Sequence, residues 1–71
     1  MDYWKVIENY LSKEDGWKDL EEIGKEMRIP KWIVEQWFKK VALKDKRYEI
    51  KILLSLGKKQ TLVRLNGEKK G

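Results

Sequence analysis

Cysteine and histidine are both absent from the 71 residues of this chain. Without cysteine there is no disulfide framework, and without either residue there is no Cys/His zinc site. The same absences remove the thiolate nucleophile and the imidazole base of a catalytic triad. Ser12, Ser55 and Thr61 are the only hydroxyl nucleophiles of that class. No enzyme activity, catalytic residue or small-molecule substrate is therefore expected. The five glycines are scattered, at 16, 24, 57, 67 and 71, so no loop cradles phosphate and no cofactor is expected. Long apolar runs are missing as well. The start, MDYWKVIENY, reads as an amphipathic helix and not as a signal sequence, so a cytoplasmic setting with no membrane partner is expected.

What is abundant is charge. Asp, Glu, Lys and Arg make up 41% of the chain, a Lys- and Glu-rich balance that leans towards a thermophile source. The net charge of +5 is unevenly distributed. Residues 1–27 carry four Lys against eight acids, a net of −4. Residues 28–71 carry ten Lys and three Arg against Glu35, Asp45, Glu49 and Glu68, a net of +9. A generic solubilising surface would intersperse the signs. Segregation of this kind suits a polyanionic partner facing the second part of the chain.

The length supports one domain near the lower limit for an independent core. Asp2 can cap a first helix running to about Leu11, with Tyr3, Val6, Ile7, Tyr10 and Leu11 at helical spacing and Trp4 at the edge of that stripe. Residues 12–16 read as a loop. Trp17 and Lys18 suit either a short strand or an aromatic staple against the next helix. Asp19 can cap that second helix, with Glu22 completing a capping box, and Leu20, Ile23 and Met27 form its apolar stripe. Glu21, Glu22 and Glu26 line one side of this helix. They read as a solvated acidic face and not as a metal site, because nothing supplies convergent ligands. Pro30 fits the first turn of a third helix. That helix, over about 30–43, carries Ile33, Val34, Trp37, Phe38 and Val41 on one broad face.

The stretch from Asp19 to Val41 resembles a helix-turn-helix. Ile23 and Met27 match its apolar positions, Gly24 the very small residue between them, Ile29 the apolar residue of the turn, and Val34 and Trp37 the anchors of the second helix. A mid-helix glycine is less favourable than alanine by about 1 kcal/mol. In this motif it marks a close crossing of the two helices. Arg28 stands where many members carry glycine.

After Val41, residues 47–56 alternate, with Tyr48, Ile50, Ile52, Leu54 and Leu56 on one face, which predicts a strand with that face on a core. Residues 61–65 return. A four-residue loop at 57–60 would pair Leu54 with Val63, and a two-residue loop at Gly57-Lys58 would pair Ile52 with Val63. Both keep the apolar faces together, whereas a one-residue slip would put Val63 and Leu65 in water. Residues 66–71 read as a disordered basic tail.

The expected fold is mainly α with a β-hairpin (α+β): a three-helix core with a helix-turn-helix plus a C-terminal two-stranded wing, over residues 1–65. It resembles the winged helix-turn-helix family. That resemblance implies binding to double-stranded DNA, with the third helix in the major groove. It puts Lys31, Trp32, Glu35, Gln36 and Lys39 at the outward positions. Gln36 suits adenine, Lys31 guanine and Glu35 cytosine. Lys39, Lys40, Lys44, Lys46 and Arg47 would meet or steer towards phosphates, with Lys58 and Lys59 at the tip of the wing. A small transcriptional regulator or an architectural protein fits this reading.

Two other readings use the same residues. The third helix is too apolar for its core to bury all of Trp32, Ile33, Trp37 and Phe38. Trp32 is then exposed and suits a protein interface. A homodimer, for instance through Tyr3 and Trp4, is compatible with either reading. Aromatics interleaved with lysines also suit single-stranded nucleic acid, although helical spacing assigns most of those aromatics to the core.

Overall fold

Residues 2–14 and 16–66 are described in a computed structural model. Three helices precede most of an antiparallel sheet: α1 (Tyr3–Lys13), β1 (Lys18–Asp19), α2 (Leu20–Met27), α3 (Lys31–Trp37), a π-helical turn (Phe38–Ala42), β2 (Tyr48–Ser55) and β3 (Lys58–Leu65). The α+β class holds. The sheet has three strands and not the expected two, in the order β1-β3-β2. The added strand is the short one that Trp17-Lys18 hinted at, displaced by one residue, with Lys18 opposite Val63 and Asp19 opposite Leu62.

Asp19 joins the sheet to the helices. Its Oδ1 accepts from the Glu21 N–H at 2.8 Å, which caps α2, and its Oδ2 accepts from Gln60 Nε2 at 2.9 Å. The reciprocal half of the expected capping box is replaced by an ion pair, because Glu22 lies 3.5 Å from Lys18 Nζ. Asp2 caps α1 as expected, accepting from the Lys5 N–H, but the helix runs two residues past Leu11.

Ile7 and Leu11 from α1, Ile23 from α2, Ile29 from the turn, Val34 and Trp37 from α3, Ala42, Tyr48 and Val63 make the buried core. Trp37, fully buried, meets Tyr48 edge-on with ring centroids 5.3 Å apart at 88°. Trp37 and Ala42 are five residues apart, and a turn with i→i+5 bonding lets both face inward. Its bond is visible where Leu43 N donates to Phe38 O at 3.0 Å.

Gly24 sits at a close approach, as expected. A Cβ there would lie 3.1 Å from the Ile29 carbonyl oxygen and 3.6 Å from Val34 Cγ2, so the tightest neighbour is the turn itself and the second is α3. Arg28 closes α2 in the left-handed conformation, at φ 59 and ψ 41, where glycine is usual.

The hairpin departs from both predicted registers. Ser55 pairs with Lys58, Ile52 with Thr61, Ile50 with Val63 and Tyr48 with Leu65. The turn is therefore Leu56-Gly57, with both residues at positive φ (50 and 77), the requirement of a type I′ hairpin. The parity of the pairing is the expected one, so the apolar faces stay together. The coverage is not. Tyr48 is buried and Ile50 half-buried, but Ile52 is 54% exposed, Leu54 76% and Leu56 100%. The outer half of the hairpin extends beyond the helices that would cover it.

Asn66 belongs to the fold, not to a tail. Its N–H donates to the Arg47 carbonyl at 2.7 Å and its side-chain amide to Glu49 at 2.7 Å. The rest of the expected tail, 67–71, lies outside the described residues.

Candidate nucleic-acid interface

The third helix presents a graded face. Val34 and Trp37 point into the core, and helical spacing turns Trp32 the other way, 65% exposed, with Ile33 half-buried beside it. Lys31, Glu35, Lys39 and Lys40 are exposed. Lys31 lies 3.7 Å from Glu21 at the start of α2, a solvent-exposed pair whose contribution is small.

Lys31 and Glu35 line a cleft of about 530 Å³ together with Leu56, Lys58, Lys59 and Gln60 of the hairpin. The start of α3 and the outer hairpin thus face the same space. The Asp19–Gln60 hydrogen bond ties the start of α2 to β3 along the lining of this cleft. Lys58 and Lys59 are not at the tip, as the sequence suggested. They open β3 opposite Ser55 and Leu54, and Leu56-Gly57 forms the tip. The cleft wall also carries Asp19 and Glu21, so its lysines and carboxylates balance.

The positive excess lies elsewhere. Lys39, Lys40, Lys44 and Lys46 are exposed along the π turn and the loop after it, and none has a carboxylate within ion-pair distance among the described residues. Arg28, exposed at the α2–α3 turn, adds to them. It was missed as a site residue although the basic part of the chain begins with it.

Gln36 and Arg47 have neighbours that the sequence did not indicate. Gln36 is half-buried on the flank away from the hairpin, beside Asp2, Tyr3, Trp4, Trp32 and Ile33. Arg47 is engaged internally: its Nη2 donates to Asp45 at 2.9 Å, its Nη1 lies 3.4 Å from Glu8, and its guanidinium rests over the Tyr48 ring. Hydrogen bonds from the Arg47 side chain and backbone hold the Asp45 carboxyl below its ordinary range. The Arg47 guanidinium is raised in turn by its bond to Asp45.

The opposite face of the sheet is self-contained. Trp17 packs under two cations there, Lys51 Nζ at 4.7 Å and Arg64 at 4.8 Å from its ring centroid, and Arg64 pairs with Glu49. Among the described residues, no three His, Cys, Asp or Glu side chains group as a metal site, and no helix is long and apolar enough to cross a membrane. Comparison with protein-family models, with curated proteins and with solved structures finds no match to this chain.

Proposed function

We propose that this chain is a duplex-DNA-binding domain of the winged helix-turn-helix type, acting as a small regulator or an architectural protein. The observation that carries the reading is the shared cleft: Lys31 and Glu35 of α3 face the same space as Lys58 and Lys59 of β3. A helix and a lysine-bearing ribbon on one side can straddle a groove and its flanking phosphates. The close approach at Gly24 supports the helix pair, and the unpaired lysines at 39, 40, 44 and 46 supply the electrostatic term. Base contacts in this reading fall to Lys31, Trp32, Glu35, Lys39 and Gln36, the last half-buried beside Trp32. Arg47, already paired, contributes little to phosphate binding.

The test is a salt titration of binding to duplex DNA, read by fluorescence anisotropy. If about five phosphates are neutralised, log K falls against log salt with a slope of about −4 to −5. Replacing Lys39 and Lys40 by alanine flattens that slope by about 2. A slope near zero, or preference for single strands in competition, removes the reading.

A second reading rests on a separate observation. Trp32 sits at a shallow apolar hollow with Tyr3, Trp4 and Ile33, a surface suited to protein docking. Trp32→Ala separates the two: lost DNA affinity favours the first, and lost partner or dimer with DNA binding intact favours the second.

A further inference from the structure

Among the described residues, the apolar outer half of β2 has no partner within one copy of the chain. In the order β1-β3-β2 this strand is an edge, eight residues long, with its outward backbone groups unpaired. Three consecutive residues on it, Ile52, Leu53 and Leu54, are 54%, 42% and 76% exposed, and fully exposed Leu56 follows. Edge strands are ordinarily guarded by charge, proline or a bulge. The two charges on this strand are drawn onto the outer face of its own sheet: Glu49 pairs with Arg64, and Lys51 covers Trp17. Neither guards the edge.

Leu56 is anomalous twice over. It holds φ 50, a conformation that a branched apolar residue adopts with strain, and it does so in full solvent. Asparagine there would relieve both problems. Nothing among the described residues of the single chain accounts for leucine.

We infer that β2 pairs antiparallel with β2 of a second copy, about a two-fold axis at Leu53, joining two three-stranded sheets into one of six. The register is what selects a second copy over another partner. A continuous antiparallel sheet keeps each face intact, so opposed residues share parity. With Leu53 on the axis, Ile52 meets the partner's Leu54, Leu53 meets its own equivalent, and Lys51 meets the partner's Ser55. Beyond the end of the ladder, Leu56 comes beside the partner's Ile50. All four exposed apolar residues of the strand and its turn acquire apolar neighbours, and no charge opposes a like charge. Moving the axis to Ile52 sets Lys51 against a leucine, and moving it to Lys51 sets two lysines face to face. A self-complementary surface of this kind is what an isologous dimer needs. The pairing uses neither α3 nor the lysines of the cleft, although Ser55 and Leu56 border both surfaces, and its test reads association without DNA.

Sedimentation velocity across low-micromolar to sub-millimolar concentrations tests it. The expected result is a species of twice 8.6 kDa that forms reversibly. Leu53→Lys, a substitution at an exposed position, puts two like charges across the axis and weakens association at least roughly tenfold. Its circular dichroism should match the parent. A second measurement exploits the absence of native cysteine. Directly opposed residues of an antiparallel pair have Cα atoms about 4.5–5.5 Å apart, within disulfide range. Leu53→Cys therefore oxidises rapidly to a covalent dimer, whereas Leu43→Cys, 57% exposed at the end of the π turn, does not. A monomer at every concentration overturns the inference. So does a dimer indifferent to Leu53→Lys, or equal cross-linking of the two cysteine variants.

Discussion

Tyr48→Phe is expected to stabilise this protein at neutral pH and to remove a specific loss of stability in alkali. Tyr48 anchors the base of β2 in the core at 6% exposure, and its buried hydroxyl has no hydrogen-bond partner among the described residues. Deleting an unsatisfied buried polar group relieves its desolvation, a gain on the order of 1 kcal/mol. The same burial, with the nearby Glu8 carboxylate adding to it, pushes the Tyr48 phenol up from 10.0 to about 12. In the unfolded chain the proton leaves near pH 10, while the folded chain still holds it. Between those values the unfolded state binds fewer protons, so stability is complete below pH 10 and declines as pH rises towards 12. A shift of about two units corresponds to about 2.7 kcal/mol, with about 2 kcal/mol of it lost by about pH 11.5. Urea unfolding of parent and variant, followed by circular dichroism at about pH 8 and about pH 11.5, measures the difference. Other groups that titrate in alkali act on both proteins and cancel. The advantage of the variant should widen from about 1 to about 3 kcal/mol between the two conditions. An unchanged gap would refute the assigned burial, and marked destabilisation at pH 8 would mean that the hydroxyl is bonded after all.

Two further substitutions probe the junctions that aim the candidate site. Arg28→Gly releases a left-handed residue, worth about 1–2 kcal/mol, against an unfolded-state entropy loss of about 0.4–1 kcal/mol. A net gain near 0.5–1 kcal/mol raises Tm by several degrees in a domain of this size, and a lower Tm on calorimetry would show that the arginine side chain is itself stabilising. Asp19→Ala removes both the α2 cap and the acceptor for Gln60, a loss of about 1–2 kcal/mol by denaturant titration, whereas Asp19→Asn keeps one acceptor and loses about half as much.

The sequence is legible where one physical rule acts alone. Ile7, Leu11, Ile23, Val34 and Trp37 fall on the core side of their helices because helical spacing leaves no other face for them, and all five are buried. Ile29-Pro30 marks the α2–α3 turn because proline cannot continue α2. Where two rules compete, the sequence says less about a residue's surroundings. Gln36 occupies an outward angle on α3 but is half-buried in an open hollow that Tyr3 and Trp4 of α1 also line, and no pattern within 30–43 reports it. Arg47 was assigned to phosphate although Asp45, two residues earlier, was available to hold it, and Glu8, distant in sequence, completes the arrangement. The π turn has no compositional mark. It is visible only once Trp37 and Ala42, five residues apart, prove to be buried together.

The hairpin separates what periodicity can determine from what it cannot. Alternation from Tyr48 to Leu56 selects a parity, and the observed ladder has that parity because any odd slip would expose Val63 and Leu65. It cannot choose among registers two residues apart. That choice depends on which two residues accept positive φ, and a reading that put Gly57 first in the turn had no reason to enlist Leu56. Alternation also names an apolar face without naming its cover. Near Tyr48 and Ile50 the cover is the helical core, and from Ile52 outward none of the described residues supplies it. A strand whose pattern outruns its own core leaves apolar residues that the described part of one copy does not cover. In the proposed dimer, the register symmetric about Leu53 makes a second copy the molecule that completes the sheet.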